Sequence, residues 1–310
     1  MKLILLILTL IFTSLSLQAQ TDFPALKQQF LDYRKADQQD SALFIARKMN
    51  TLSLKEETDT SYWYALSMRY QGNPHNTWGN TDSTIYYWNE AVLLFEKHHP
   101  EHPDFNKSIR NLGRLYSDMG DYKAAEPFYK QALEIRKKTL GEDHPDVAGS
   151  LNSLGIFYRE MSRFKDSEEN YTRYLEITEK NYGKDHENYA FGLNNLANLF
   201  SEIGQYAKAE EYYLMSNEIR KKKKGSESEI YAKGIATLAK FYMEIGNYKK
   251  AEENYLESSN IYKKAKGEQS PEYGSSLNSL GIFYREMSRF KESEENYTRY
   301  LEITEKNYGK

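Results

Sequence analysis

Apolar and polar positions along this chain repeat on two scales, one helical and one much longer. Ile109, Leu151, Leu193, Ile235 and Leu277 stand 42 residues apart, as do Leu112, Leu154, Leu196, Leu238 and Leu280. Small residues keep the same spacing at Gly113, Gly155, Ala197, Ala239 and Gly281. Three aromatic columns follow: Tyr116, Tyr158, Phe200, Tyr242, Tyr284; then Tyr122, Phe164, Tyr206, Tyr248, Phe290; then Tyr129, Tyr171, Tyr213, Tyr255, Tyr297. Within one unit Leu151, Leu154 and Tyr158 share a helix face at i, i+3, i+7. Gly155 on that face admits the close approach of another helix. A break at Met161-Ser162-Arg163 leads to a second amphipathic helix marked by Phe164, Ser167, Tyr171, Tyr174 and Ile177. It ends near Gly183, whose equivalents Gly141, Gly225, Gly267 and Gly309 suit a helix C-cap. Pro145, after Asp143 and His144, fits the first turn of the next helix. Each unit is a helix hairpin that cannot bury its apolar face alone, so stacking of units completes the core.

Upstream the pattern loosens. Tyr62 to Gly72 and Ser83 to Lys97 predict another helix pair, with a turn enlarged by the segment 73–81. Residues 23–36 and 40–52 predict a further pair that caps the N-terminal end, where atypical repeats are expected. The domain reading is therefore a leader over 1–19, a capping pair over 20–60, a divergent repeat over 61–105 and five units over 106–310. Residues 149–184 and 275–310 differ only at Gly149/Ser275 and Asp166/Glu292, so a block of three units has been copied. The last unit has no polar capping helix, and its final apolar face is expected to be uncovered.

The segment from Tyr122 to Arg136, with Gly141 to Ala148 after it, resembles the tetratricopeptide repeat. The 42-residue period and Leu193-Asn-Asn-Leu-Ala197 resemble the kinesin-light-chain type of that repeat. The resemblance implies an all-α fold, a right-handed superhelical solenoid of antiparallel helix hairpins. It speaks weakly for any one function, because the repeat serves many partners.

Composition narrows the chemistry. With no Cys there is no disulfide, thiolate metal site or Cys nucleophile. A formal charge of −3 provides no global field for nucleic acid. The only long apolar run, Leu3 to Phe12 behind Lys2, reads as a secretory signal peptide cut after Ala19, with no membrane span in the mature chain. The mature protein is thus expected to be exported, to the periplasm or the medium.

Catalytic and metal motifs are missing from the sequence. His98, His99 and His102 cluster, but His102, His144 and His186 recur in one inter-repeat loop, which explains them as repeat members. No nucleotide loop or nucleophile elbow occurs. The run Arg220 to Lys224 reads as a basic helix end that complements the helix dipole. Asn106, Asn170 and Asn296 begin glycan sequons, the latter two within helices. No enzyme, cofactor or metal is expected.

What remains is a second stripe beside the core stripe of each first helix, at i, i+4, i+7. It holds Arg110 and Arg114; Asn152 and Arg159; Asn194 and Asn198; Ala236 and Lys240; Asn278 and Arg285. Core columns barely change between units, whereas this stripe varies, as a partner-binding surface does. The resemblance implies that first helices line the concave side and that Asn152, Asn194 and Asn278 pair with the backbone of an extended peptide. An Asn amide both donates and accepts, which suits a peptide unit. The cationic members would favour acidic segments. The expected function is an exported, non-enzymatic scaffold holding a peptide or protein segment. Two other readings stay open: a regulatory segment of a longer enzyme, and self-association through the uncovered last repeat.

Overall fold

The structure, a computed structural model, describes residues 22–56 and 62–309. The leader reading at 1–19 lies outside the described residues. These form fourteen α-helices and no strand. In chain order they are α1 Phe23–Lys35, α2 Gln39–Glu56, α3 Tyr62–Thr77, α4 Thr81–His98, α5 Pro103–Asp118, α6 Tyr122–Leu140 and α7 Pro145–Glu160. There follow α8 Phe164–Tyr182, α9 Glu187–Glu202, α10 Tyr206–Lys224, α11 Glu229–Glu244, α12 Tyr248–Lys266, α13 Pro271–Glu286 and α14 Phe290–Tyr308. The helices group into two compact units, one through Thr139 and one from Leu140 onward. Among the described residues no helix is long and apolar enough to cross a membrane.

Helix ends follow from local chemistry. His102, His144 and His186 are N-caps, each Nδ1 accepting an N–H two residues on at 3.1 Å. Ser228 and Ser270 take the same place in the next two repeats, accepting from Tyr231 and Tyr273. The recurring histidines are thus capping groups. At the other end Gly183, Gly225 and Gly267 adopt φ of 81°, 90° and 93°, the left-handed region that costs an L side chain energy.

One expected boundary is wrong. The enlarged turn over 73–81 is instead mostly helix, because α3 runs through Pro74 to Thr77. Asn73-Pro74 reads as a breaker, since an interior proline costs about 3 kcal/mol. Burial outweighs it: Pro74 is buried, and Gly72 lies against the Trp88 indole so closely that no Cβ would fit. The true turn, Trp78–Asn80, is closed by N–H groups of Trp78, Gly79 and Asn80 on the carbonyls of Pro74, Asn76 and His75.

The first unit is packed around Phe30, Leu66, Phe95, Ile109 and Leu112, all fully buried. Phe30 stacks on Tyr70 with ring centroids 3.9 Å apart. In the second unit each hairpin closes on a small residue of its first helix. A Cβ at Gly155 would sit 2.5 Å from the Tyr171 ring, and one at Gly281 2.8 Å from Tyr297. Buried serines tie the same hairpins, Ser167 Oγ donating to the Gly155 carbonyl at 2.7 Å and Ser293 Oγ to the Gly281 carbonyl at 2.8 Å. The copied helices α8 and α14 differ in cover. Leu175 on α8 is 9% exposed beneath α9, whose Gly192 accommodates Tyr174 and Leu175; its counterpart Leu301 is 62% exposed.

Two substitutions test this packing. Gly155→Ala drives a methyl into the Tyr171 ring and should destabilise the protein by about 1–3 kcal/mol in urea denaturation. Ser162 and Ser288 hold φ of 56° and 55°, where Gly120, Gly204 and Gly246 hold 78°, 76° and 78°. Relief of that strain, about 1–2 kcal/mol, exceeds the added chain entropy of glycine, about 0.5–1 kcal/mol. Ser162→Gly should therefore raise the melting temperature.

Candidate functional site

In the second unit the first helices α7, α9, α11 and α13 present their variable stripe away from the hairpin core. The stripe residues are half-buried or exposed, but their polar groups differ in what they already hold. Asn152 Oδ1 accepts from Asn195 Nδ2 at 2.7 Å, and Arg159 pairs with Glu202 at 3.5 Å. Both contacts join α7 to α9. Asn198 Oδ1 accepts from the Tyr213 hydroxyl at 2.6 Å, which leaves the Asn198 amide nitrogen as its donor. Lys240 pairs loosely with Glu244 at 3.6 Å, and Arg285 with its neighbour Glu286 at 3.0 Å. Asn194 and Asn278 are half-buried.

The structure brings Asn198, Ala236 and Lys240 together on one cavity of about 400 Å³, floored by Tyr213, Phe241 and Tyr255. A second cavity of about 290 Å³ adjoins it and shares Lys233, Ala236, Tyr255 and Ser279. Asn152, Asn194, Arg159, Asn278 and Arg285 line neither of these two cavities. The trough is centred on Ala236, the position that interrupts the asparagine series.

The sequence stripe was drawn too narrowly. Lys233 and Thr237 line the trough three residues before and one after Ala236, on the same helix face. Extending the i, i+4, i+7 series by its i−3 and i+1 neighbours would have found them. Tyr255, a member of the third aromatic column, is buried and also lines the trough. In the first unit Arg110 and Arg114 each line a cavity on α5, beside Asn111.

Other candidates resolve into structure. Three of the four lysines after Arg220 are engaged: Lys222 with Asp185 at 2.9 Å, Lys224 with Glu187 at 3.4 Å, and Lys221 over the Tyr231 ring. Asn106 cannot carry a glycan as it stands, because it is buried and donates to the Ala132 carbonyl at 2.6 Å. No group of three or more His, Asp or Glu side chains suited to a metal ion occurs among the described residues.

The tyrosines flooring the trough are held protonated. Burial first, and then the Glu244 carboxylate, push both Tyr213 and Tyr255 up to about 12. Burial followed by a hydrogen bond to Glu210 or Glu252 does the same for Tyr242 and Tyr284. A folded pKa above the unfolded value of 10.0 means that this stability is whole below pH 10.0 and is lost as pH rises through about 12. Urea midpoints should stay level to about pH 10 and then fall. Tyr213→Phe/Tyr255→Phe should make that fall shallower, as read by denaturation at a series of alkaline pH values.

Comparison with known proteins agrees with this architecture. The tetratricopeptide repeat family pattern matches residues 79–138, 104–180, 146–222 and 233–306. No curated protein matches the sequence significantly. A kinesin light chain of Podosopora anserina, solved with nearly identical TPR-like repeats, is 20% identical, with a TM-score of 0.57 over 66% of this chain and 98% of that one. The apo form of RapI is 18% identical with a TM-score of 0.60, covering 92% of this chain and 98% of its own. A Rap protein complexed with competence and sporulation factor is 15% identical with a TM-score of 0.56, covering 91% and 77%. The repeat period, the hairpins that realise it and the family match over most of its length together establish that the chain belongs to the tetratricopeptide repeat family.

Proposed function

We propose that this protein is an exported scaffold that holds an extended segment of a partner polypeptide along the first-helix face of its second unit. Tetratricopeptide repeat proteins are typically scaffolds rather than enzymes and bind protein or peptide partners. The observation that carries the reading is the trough at Ala236. It has an aromatic floor in Tyr213 and Tyr255, with Lys233, Lys240, Thr237 and Ser279 at its edge and Glu229, Glu244 and Glu272 among its lining. An apolar floor with a few polar groups around it suits one large ligand side chain with its flanking backbone. Asn198 and the half-buried Asn194 and Asn278 on adjacent first helices supply amides for that backbone. One solved protein of similar fold was crystallised with competence and sporulation factor, which supports the reading by analogy of fold. Export rests on the apolar run behind Lys2 and would start the mature chain at Gln20.

Selection of a random peptide library on the purified chain tests the groove. Selected peptides should lose about tenfold or more in affinity on Ala236→Asn, which restores the neighbouring repeats' residue and fills the trough. Lys240→Glu should weaken those with acidic flanks. Peptides that bind both variants as they bind the native chain would place the site elsewhere. Mass spectrometry of the envelope and medium fractions reads the export step, with Gln20 as the expected first residue.

A further inference from the structure

The first unit contains a concentration of positive charge that the peptide reading does not use. A cavity of about 320 Å³ opens between α1, α3 and α5. Five cations line it, Lys27, Arg34, Arg69, Lys107 and Arg110, against one carboxylate, Asp104. Asp104 is buried, yet it stays ionised. Burial alone would lift its carboxyl, but Arg69, the Tyr62 hydroxyl and Lys107 outweigh that and hold it below the usual carboxylate range. The distances are 3.2 Å to Arg69, 3.2 Å to Lys107, 3.9 Å to Lys27 and 2.7 Å from the Tyr62 hydroxyl.

One internal carboxylate is therefore shared among three cations. Arg69 is 91% buried by its side chain, which is 9% exposed, and its Nε has no partner. Arg34 and Arg110 have no acidic partner among the described residues. Arg69 and Asp104 fix the buried end of the cluster, and the exposed ends of Arg34, Lys107 and Arg110 stand around the same cavity, so positive charge exceeds negative there and the local field favours an anion. The charges also converge. They come from three helices onto one cavity, whereas carboxylates strung along an extended peptide lie several ångströms apart. A tetrahedral dianion brings several oxygens to one point, where guanidinium and ammonium groups can each take one. Asn73 and Asn111 add amide donors at the same wall, and Leu31, exposed beside the buried Phe30–Tyr70 stack, offers apolar surface for whatever carries the anion.

We propose that this cavity is a binding site for a phosphate monoester, independent of the polypeptide trough in the second unit. The geometry suits a small phosphorylated molecule whose carbon portion rests on Leu31.

Calorimetric titration of the full chain tests this with inorganic phosphate, phenyl phosphate, hexaglutamate and, at matched ionic strength, sodium chloride. Inorganic phosphate and phenyl phosphate should bind saturably with one site per chain, phenyl phosphate more tightly. Arg34→Gln and Arg110→Gln alter exposed side chains and should leave the fold intact. Each should weaken phenyl phosphate binding by about tenfold, with Arg285→Gln on the second unit leaving it unchanged. Absence of a saturable signal would overturn the proposal. So would equal heats from chloride, which mean screening alone, or hexaglutamate binding more tightly than phenyl phosphate, which would mark an acidic polypeptide as the ligand. An effect of Arg285→Gln equal to that of Arg34→Gln would show non-specific attraction and overturn it as well.

Discussion

The contact that organises this chain is an aromatic ring laid against the backbone of a neighbouring helix. Tyr171 is fully buried on Gly155, and Tyr297 lies on Gly281 in the same way. Gly113 meets Phe128 and Tyr129. The ring fills the space between two helices because the facing residue is small, glycine at 113, 155 and 281 and alanine at 197 and 239, so close approach and ring size are fixed as a pair. With each hairpin's spacing set, Tyr174 and Leu175 reach Gly192 of the next hairpin, and the repeat can stack. Five of the 27 tyrosines, at 129, 171, 213, 255 and 297, occupy this position, one in each 42-residue repeat.

Around that contact the units keep one electrostatic arrangement by two different routes. A cation sits over the aromatic ring that closes each first helix: Arg163 over Tyr158, Lys208 over Phe200, Lys250 over Tyr242 and Arg289 over Tyr284. Arg163 and Arg289 occupy the turn, and the residue three later is acidic, Asp166 or Glu292, pairing at 2.8 Å. In the other two units the turn residue is Gln205 or Asn247, and the residue three later is the lysine. The charge moves along the chain by three residues, and its place over the ring is kept. Column by column these positions look variable; in space they are one interaction.

The same distinction governs the candidate sites. Asn152 and Arg159 were legible in the sequence as polar groups on a groove-facing stripe, yet each makes its contact with a neighbouring first helix. Their chemistry ties one repeat to the next. Ala236 looked like a defect in the asparagine series, and it is where the trough lies. In the first unit Lys27, Arg34, Arg69 and Lys107 are scattered over eighty residues of loosely patterned sequence, outside the clear 42-residue register for the most part. Only the packing of α1, α3 and α5 gathers them around Asp104.

By itself the sequence determined the hairpins, their order and their caps. Those depend on short-range periodicity and on residues that act locally: glycine at positive φ, proline in a first turn, apolar residues at helical spacing. Even His102, His144 and His186 could be assigned to repeat loops from their register alone. Where α3 ends was decided by tertiary structure, since burial of Pro74 and the packing of Gly72 against Trp88 override a local breaker. Tertiary structure also decided which polar groups remain available, because hydrogen-bond and ion-pair partners come from helices a full repeat away. Periodicity states which face a residue lies on; only packing states what already stands opposite it.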